Sequence, residues 1–442
     1  MPPLLKAAAG SLAGSLRVPG DKSVSHRAAL FGLFASGPCT AAGWLDAADT
    51  RSSLAAVETL GCRTGLADGT LTVTPPVRPL PAGPHLHLDC GNSGTTARLL
   101  MGLLAGWLPP GGPAVMLEGD ASLSARPMAR VIDPLRAMGA RIDCLGEPGR
   151  LPVRITGSDL KGLRHDLPVP SAQVKSALLL AGLFADGITE VHGGGSSRDH
   201  TERLLAVMGL PCEAVGADGL RVAGGRRSGT FAIAVPGDPS SAAFFLTAAA
   251  MIPGSRLTVT DHALNEGRIG ALAVLRRAGA TVDLDRARGP REGEMIADVT
   301  VTAGPLRPFA ITSREVPTLV DEIPVLAVLA TQAPGESVIS GAEELRVKES
   351  DRLAMTARNL QALGAVVEEL PDGLRITGPT PLRGGPPGRP LVLETAADHR
   401  IAMAMAVAAL VTEGSLALDD RACVGISYPE FFAVLDGLLA VR

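Results

Sequence analysis

Two kinds of apolar stretch alternate along the chain. In one, apolar residues run almost unbroken, as in SALLLAGLFA from Ser176 and IAMAMAVAALV from Ile401. A helix that is apolar nearly all round is a buried helix. Stretches of this kind close on Gly37, Gly106, Gly187, Gly254, Gly335 and Gly414. The other kind closes on ETLG at Gly61, RAMG at Gly139, AVMG at Gly209, RRAG at Gly279 and QALG at Gly364, with VLDG at Gly437 as a truncated sixth. Glycine just past the last periodic residue predicts a helix C-cap. A strand-like run follows each of the first five. ADGTLTV, GADGLRVAG and PDGLRITG add the Asp-Gly pair of a hairpin turn.

The two ladders interleave strictly, and the rungs of the second half repeat those of the first at offsets of 217 to 229 residues. The chain therefore reads as six copies of a unit of about 74 residues, in two sets of three. Each copy runs helix, helix, glycine cap, strand, turn, strand, which predicts an α/β fold. Within each set the helices are expected inside and the strands outside. VPGD at Val18–Asp21 recurs at Val235–Asp238 and marks where each set starts. One domain is thus expected over residues 20–236 and a second over 1–19 with 237–442, with a two-stranded hinge at 19–20 and 236–237. The opening MPPLLKAAAGSLAGSL reads as a first strand rather than a signal segment.

Composition changes this picture in three places. A length of 442 residues suggests about three domains of ordinary size, but the repeat argues for two. A net charge of −4 leaves no basic footprint for nucleic acid. No apolar run approaches the roughly 18 residues of a membrane helix, so no membrane partner is expected. The six cysteines form no C-x-x-C pair and read as reduced thiols of a cytoplasmic protein.

Polar residues collect where the ladder helices begin: Lys22-Ser23 with Arg27, Asn92-Ser93-Gly94-Thr95, Ser171-Ala172-Gln173, Asp321-Glu322 and Asp398-His399-Arg400. Helix N-termini offer unpaired N–H groups and the positive end of the dipole, which suits anions. Each Ser or Asp here also has an ordinary use as a cap. GNSGTT follows an alternating strand and opens a helix, so it resembles a phosphate loop, but it is no Rossmann fingerprint, and GDKS is no Walker motif. Further cations stand near the second-ladder starts: Arg126, Arg198, and Lys348 with Glu349 and Arg352. Lys348 and Arg352 are four apart, the spacing of one helical face.

Taken together, PGDKSVSHRA, GNSGTTARLL, SLSARPM, SAQVKSALLLAG, SRDHTE, VDEIPVLAVLA, ELRVKESDRL and DHRIAMA resemble the enolpyruvyl transferases, and within them the 5-enolpyruvylshikimate-3-phosphate synthase family. The resemblance keeps its order from Lys22 to SYPEFF. It implies two domains, each of three βαβαββ units around buried helices. It also implies a reaction: the 5-hydroxyl of shikimate 3-phosphate adds to C2 of phosphoenolpyruvate while C3 is protonated. The resulting ketal then loses phosphate and a C3 proton. No metal and no organic cofactor are implied, and the enzyme is expected to act as a monomer.

By the resemblance, Lys22, Ser23, Arg27, Ser171, Ala172, Gln173, Arg198, Asp321 and Lys348 hold shikimate 3-phosphate. Lys22, Asn92, Gly94, Thr95, Arg126, Gln173, Arg352, His399 and Arg400 hold or border phosphoenolpyruvate. Asp321 is the candidate base for the 5-hydroxyl, Glu349 the proton donor and acceptor at C3, and Lys22 the partner of the leaving phosphate. The two substrates bring roughly six negative charges, against seven cations at motif positions. The residues divide between the two expected domains, so catalysis is expected to need closure about the hinge, which would also exclude water.

Two departures stand out: Ile426 where relatives often carry Lys before the aromatic-Pro-acidic tail, and Ala125 where a basic residue often precedes Arg-Pro. Both predict a phosphate held by fewer cations and a higher Michaelis constant for phosphoenolpyruvate. Gly94 leaves room for the family's herbicide, glyphosate, so inhibition is expected. The sister UDP-N-acetylglucosamine enolpyruvyl transferase is disfavoured, because Ala121 stands where its loop carries Cys and Ser23 follows Lys22. A ring-shaped DNA clamp, also six-fold repetitive, is disfavoured because its helices must offer Lys and Arg to phosphates. A binding protein without catalysis is disfavoured by the presence of Asp321, Glu349 and Lys22 together.

Overall fold

The computed structural model describes residues 4–8, 10–77, 85–194, 197–225, 228–291 and 293–440. The chain divides into two compact units: an N-terminal unit of Gly20–Val235 with Pro290–Glu294, and a C-terminal unit of Met1–Pro19, Pro236–Gly289 and Met295–Arg442.

The N-terminal unit carries helices α1 (Lys22–Phe31), α2 (Ala48–Thr59), α3 (Gly94–Trp107), α4 (Ala121–Ala125), α5 (Ala129–Ala137), α6 (Ala172–Gly182) and α7 (His200–Val207). The C-terminal unit carries α8 (Pro239–Met251), α9 (Gly270–Arg277), α10 (Ile323–Ala330), α11 (Arg352–Ala362), α12 (His399–Ala409) and α13 (Phe431–Ala440). The apolar stretches are the buried helices the pattern predicts. Every residue of α8, α10 and α12 is buried, and α1, α3 and α6 feed the core of the N-terminal unit. The strands put one face on these cores, as Thr70–Thr74 does by alternating half-buried and buried residues.

Three four-stranded sheets of the N-terminal unit share one plan: two parallel strands, then an antiparallel hairpin. His85–Asp89 pairs parallel with Ala114–Glu118, followed by Val153–Thr156 and Arg141–Cys144. Arg164–Asp166, Ile188–His192, Gly219–Ala223 and Glu213–Val215 repeat the order. The first repeat is completed out of sequence, because its parallel edge strand is Ala232–Ala234.

The C-terminal unit shows the same plan with a different loan. The opening segment is not one strand but two, serving different sheets. Ala13–Leu16 pairs parallel with Arg256–Ala263, while Leu4–Leu5 pairs antiparallel with Leu416–Leu418. Among the described residues the last repeat has no hairpin of its own: Leu4–Leu5 takes the antiparallel place beside Leu416–Leu418, whose other neighbour is Leu391–Leu393. This explains why residues 1–19 fold with the second half of the chain.

The glycine ladder needs three corrections. Most rungs take the left-handed backbone region of a C-cap, Gly279 at φ +105° for example, but Gly37, Gly106 and Gly437 do not. Gly106 lies inside α3, where an added Cβ would sit 2.6 Å from Cβ of Phe184. It is there for close packing, as is Gly102, whose missing side chain lets α3 lie against Ala177 of α6. Gly437 lies inside α13.

Candidate active site

In the N-terminal unit the polar clusters do sit at the starts of the three buried helices, and their ordinary capping roles are real. Asp21 accepts from the Val24 N–H at 2.9 Å, Ser93 from Thr96 at 3.2 Å and Ser171 from Val174 at 3.5 Å. Capping fixes the first turns, so the side chains beside the caps are presented in set directions.

Lys22 forms an ion pair with Asp49 of α2 at 2.9 Å. Arg27, five residues further along α1, is 3 % exposed. It donates to Thr201 Oγ1 at 2.7 Å, Ser176 Oγ at 2.9 Å and the Ser23 carbonyl at 2.9 Å. Burial brings its pKa down to about 10, with Glu202, Asp21 and Glu294 opposing the fall and Arg198 adding to it. The guanidinium therefore stays charged at neutral pH, and its three hydrogen-bond partners here are neutral oxygens.

Arg126, also buried, donates to Asn92 Oδ1 at 2.6 Å and Ser122 Oγ at 3.2 Å, and Asn92 in turn donates to Asp120 Oδ2 at 2.8 Å. Gln173 donates to Thr95 Oγ1 at 3.0 Å and accepts from Arg98 Nη1 at 2.7 Å. Arg98 was not foreseen. A Cβ added to Gly94 would lie 2.7 Å from Arg98 Nη1 and 3.4 Å from Arg126 Nη1, so two guanidinium groups converge on one glycine at the start of α3. Like charges drawn together at a helix N-terminus favour an anion there. The sequence signal was available: Arg98 is the one charged residue in GTTARLLMGLLAGW. Lys175 in AQVKSALLLAG is the same kind of signal; it is 1 % exposed, pairs with Glu202 at 2.6 Å and donates to the Ser197 carbonyl at 3.3 Å, just before Arg198.

The C-terminal unit is organised differently. Arg352, at the first position of α11, is 1 % exposed and surrounded by carboxylates: Glu349 at 2.6 Å, Asp398 at 2.7 Å and Asp321 at 3.2 Å. Burial alone would lower its pKa, but Asp398, Glu349 and Asp321 outweigh that and raise it. Arg400 adds its Nε at 3.5 Å from Asp321. Four residues picked out from sequence (Asp321, Glu349, Arg352 and Arg400) thus meet in one cluster, and His399 is buried beside Arg400. Asp398, expected as a helix-start residue, caps α12 through the Arg400 N–H at 2.9 Å and also accepts from Ser350 and Arg352, a joining role the sequence did not suggest.

Lys348 departs from expectation. α11 begins only at Arg352, with Asp351 as its cap, so Lys348 shares no helical face with Arg352. It stands at the end of a short 3-10 turn (Glu343–Val347) and pairs with Glu344 at 2.8 Å. Ile426 packs against the core of its unit.

Over residues 6–435 the sequence matches the profile of the family described as EPSP synthase (3-phosphoshikimate 1-carboxyvinyltransferase). The chain belongs to the EPSP synthase family. It is similar to a 3-phosphoshikimate 1-carboxyvinyltransferase of Anaeromyxobacter sp. (strain K), 50 % identical over 439 residues that cover 98 % of this chain and 96 % of the relative. A relative of the same name from Acidithiobacillus ferrooxidans (strain ATCC 53993 / BNL-5-31) is 47 % identical over 424 residues, covering 96 % and 94 %. A solved EPSP synthase structure from Acinetobacter baumannii superposes with a TM-score of 0.85 at 37 % identity, covering 98 % of this chain and 97 % of that one. The fold is that of the two-domain enolpyruvyl transferases. Neither the sister transferase nor a DNA clamp gains support from these EPSP synthase relatives. Among the described residues no helix is long and apolar enough to cross a membrane.

Proposed function

We propose that this chain transfers the enolpyruvyl group of phosphoenolpyruvate to the 5-hydroxyl of shikimate 3-phosphate and releases phosphate, acting as a cytoplasmic monomer without metal or organic cofactor. The observation that carries the reading is the Arg352 cluster, which gathers two carboxylates suited to proton transfer, Asp321 and Glu349, around one buried cation.

Asp321 takes the proton of the 5-hydroxyl as its oxygen bonds to C2. Glu349 delivers a proton to C3, so that the ketal forms without a free carbanion. In the second half Glu349 removes a C3 proton as the bond from C2 to the phosphate oxygen breaks. Lys22 stabilises the departing phosphate, and the proton from the 5-hydroxyl leaves with it. Arg27, Ser23, Ser171, Ala172, Gln173, Arg198 and Lys348 hold shikimate 3-phosphate. Arg126, Arg352 and Arg400, with Asn92, Gly94, Thr95 and His399, serve phosphoenolpyruvate. Arg98 beside Gly94 supplies a cation that offsets the missing basic residues at Ala125 and Ile426.

Lys22, Arg126 and Arg198 belong to one unit and Asp321, Glu349 and Arg400 to the other. The reaction therefore requires closure about residues 19–20 and 236–237. Small-angle scattering should report compaction on adding shikimate 3-phosphate; an unchanged radius of gyration would refute closure. Phosphate release from the two substrates tests the activity itself. It is expected for the parent and should fall by about 10²–10⁴ in Asp321→Ala and by a similar factor in Lys22→Met. A parent that releases no phosphate would sink the assignment. Glyphosate should inhibit; unchanged activity at millimolar inhibitor would refute that part.

A further inference from the structure

One buried polar chain in the N-terminal unit is used by none of these steps. On α1, Lys22 and His26 are four apart; on α2, Asp49 and Ser53 are four apart. Residues so spaced share a helical face, and the two faces meet: Lys22 pairs with Asp49 at 2.9 Å, and His26 Nδ1 lies 2.8 Å from Ser53 Oγ. From Ser53 the contacts continue to Thr96 Oγ1 at 2.7 Å and from there to Ser93 Oγ at 2.7 Å. His26, Ser53 and Thr96 have no exposed surface, and Ser93 has 1 %.

Each hydroxyl has a single proton to give, which fixes the direction of the chain. Thr96 donates to Ser93, so it must accept from Ser53, and Ser53 must accept from His26. The imidazole therefore carries its proton on Nδ1. That agrees with its Nε2, which is buried with no hydrogen-bond partner among the described residues. A second proton there would be stranded. Burial, then Lys22 and Arg27, hold the His26 pKa well below 6.5, so the ring stays neutral. Ser93, the cap of α3, anchors the Asn92–Thr95 loop.

We infer that the chain His26–Ser53–Thr96–Ser93 couples the two substrate subsites of this unit, with Ser53 as a positioning residue that sets the phosphoenolpyruvate loop from the helix that holds shikimate 3-phosphate. This rests on the subsites proposed above. Ser53 touches neither substrate in that proposal, and it acts only by orienting Thr96 and hence the cap.

Steady-state kinetics of Ser53→Ala test the inference. The Michaelis constant for phosphoenolpyruvate should rise about five- to tenfold, as expected for one lost buried hydrogen bond. That for shikimate 3-phosphate and kcat should stay within about twofold. The isosteric Thr96→Val should reproduce the effect, and Ser53→Ala with Thr96→Val together should be no worse than either alone, since they break one chain. Equal rises in both Michaelis constants, or additive effects in the double variant, would overturn the coupling. Amide exchange gives a readout that does not depend on activity: protection over residues 92–97 should fall in Ser53→Ala. A parent that is inactive, with Ser53→Ala still showing that loss, would spare the chain and remove only its catalytic reading. Unchanged exchange would remove the chain itself.

Discussion

The two units treat a buried arginine in opposite ways. Arg27 is held by two hydroxyl groups and a carbonyl, whereas Arg352 is held by three carboxylates. A guanidinium among neutral acceptors keeps its charge available to an incoming anion. One ringed by carboxylates instead organises those carboxylates and fixes where their oxygens lie. The first arrangement suits binding and the second suits proton transfer, although the two units are built on the same repeat.

Substitution breaks this contrast most directly. Arg352→Met leaves three carboxylates without their shared cation and should cost the C-terminal unit about 3–5 kcal/mol. Arg27→Met leaves hydroxyls that can find other partners and should cost the N-terminal unit about 1–3 kcal/mol. Amide exchange of α12 and α6 reads the two separately, and equal losses would erase the distinction.

Acidity sharpens it next, because the units should respond with opposite slopes. Burial, with Lys22 and Arg27, lowers the folded pKa of His26 below 6.5. The unfolded chain then binds the extra proton, so stability is complete above about 6.5 and drains away as pH falls below it. Glu322, 1 % exposed, has its pKa raised above 4.5 by burial and by Asp321, against the pull of Arg400 and Arg268. Here the folded state binds the extra proton, so stability is present below about 4.5 and is lost as pH rises through the folded value. His26→Asn should flatten the acid slope and Glu322→Gln the alkaline one. Melting curves from pH 5 to 8 would show it, and unchanged slopes would refute both assignments.

A smaller effect is expected at Gly94. Gly94→Ala pushes a methyl group toward Arg98 and Arg126 and should raise the Michaelis constant for phosphoenolpyruvate about tenfold while weakening glyphosate further. Equal loss of both ligands would place the clash elsewhere. The smallest effect concerns the turns before the helices. The turn before α3 takes its left-handed residue as Gly91, but the one before Asp398 uses two alanines, Ala396 at φ +51° and Ala397 at φ +55°. Backbone strain of this kind is relieved by glycine. Ala397→Gly should stabilise the C-terminal unit by about 0.5–1 kcal/mol, read as a rise in its melting temperature.

Much of this was legible in the chain because it depends on local signals. Glycine caps and unbroken apolar runs identify the buried helices, since both follow from the backbone geometry of one segment. Helix-start residues such as Ser171 and Asp398 were legible for the same reason. What escaped depends on segments far apart in sequence. Nothing near Arg98 reveals Gln173, 75 residues on, and nothing near Ser53 reveals Thr96. Gly106 misled because a glycine needed for contact with Phe184 looks, in sequence, the same as one that ends a helix. Lys348 misled because spacing of four implies a shared face only where the intervening backbone is helical.

The divided service of the opening segment bears on how the chain is assembled. Ala13–Leu16 must wait for Arg256–Ala263, and Leu4–Leu5 for Leu416–Leu418. On the ribosome the whole of Gly20–Val235 emerges before either partner exists. These strands are thus made before the body of their own unit and seated only after it. Lys6 then lies 3.1 Å from Asp436, so the opening strand is tied to the helix Phe431–Ala440. A circular permutant opened between Pro19 and Gly20, with its old ends joined, would place residues 1–19 directly behind the rest of their own unit and leave one covalent crossing fewer between the two units.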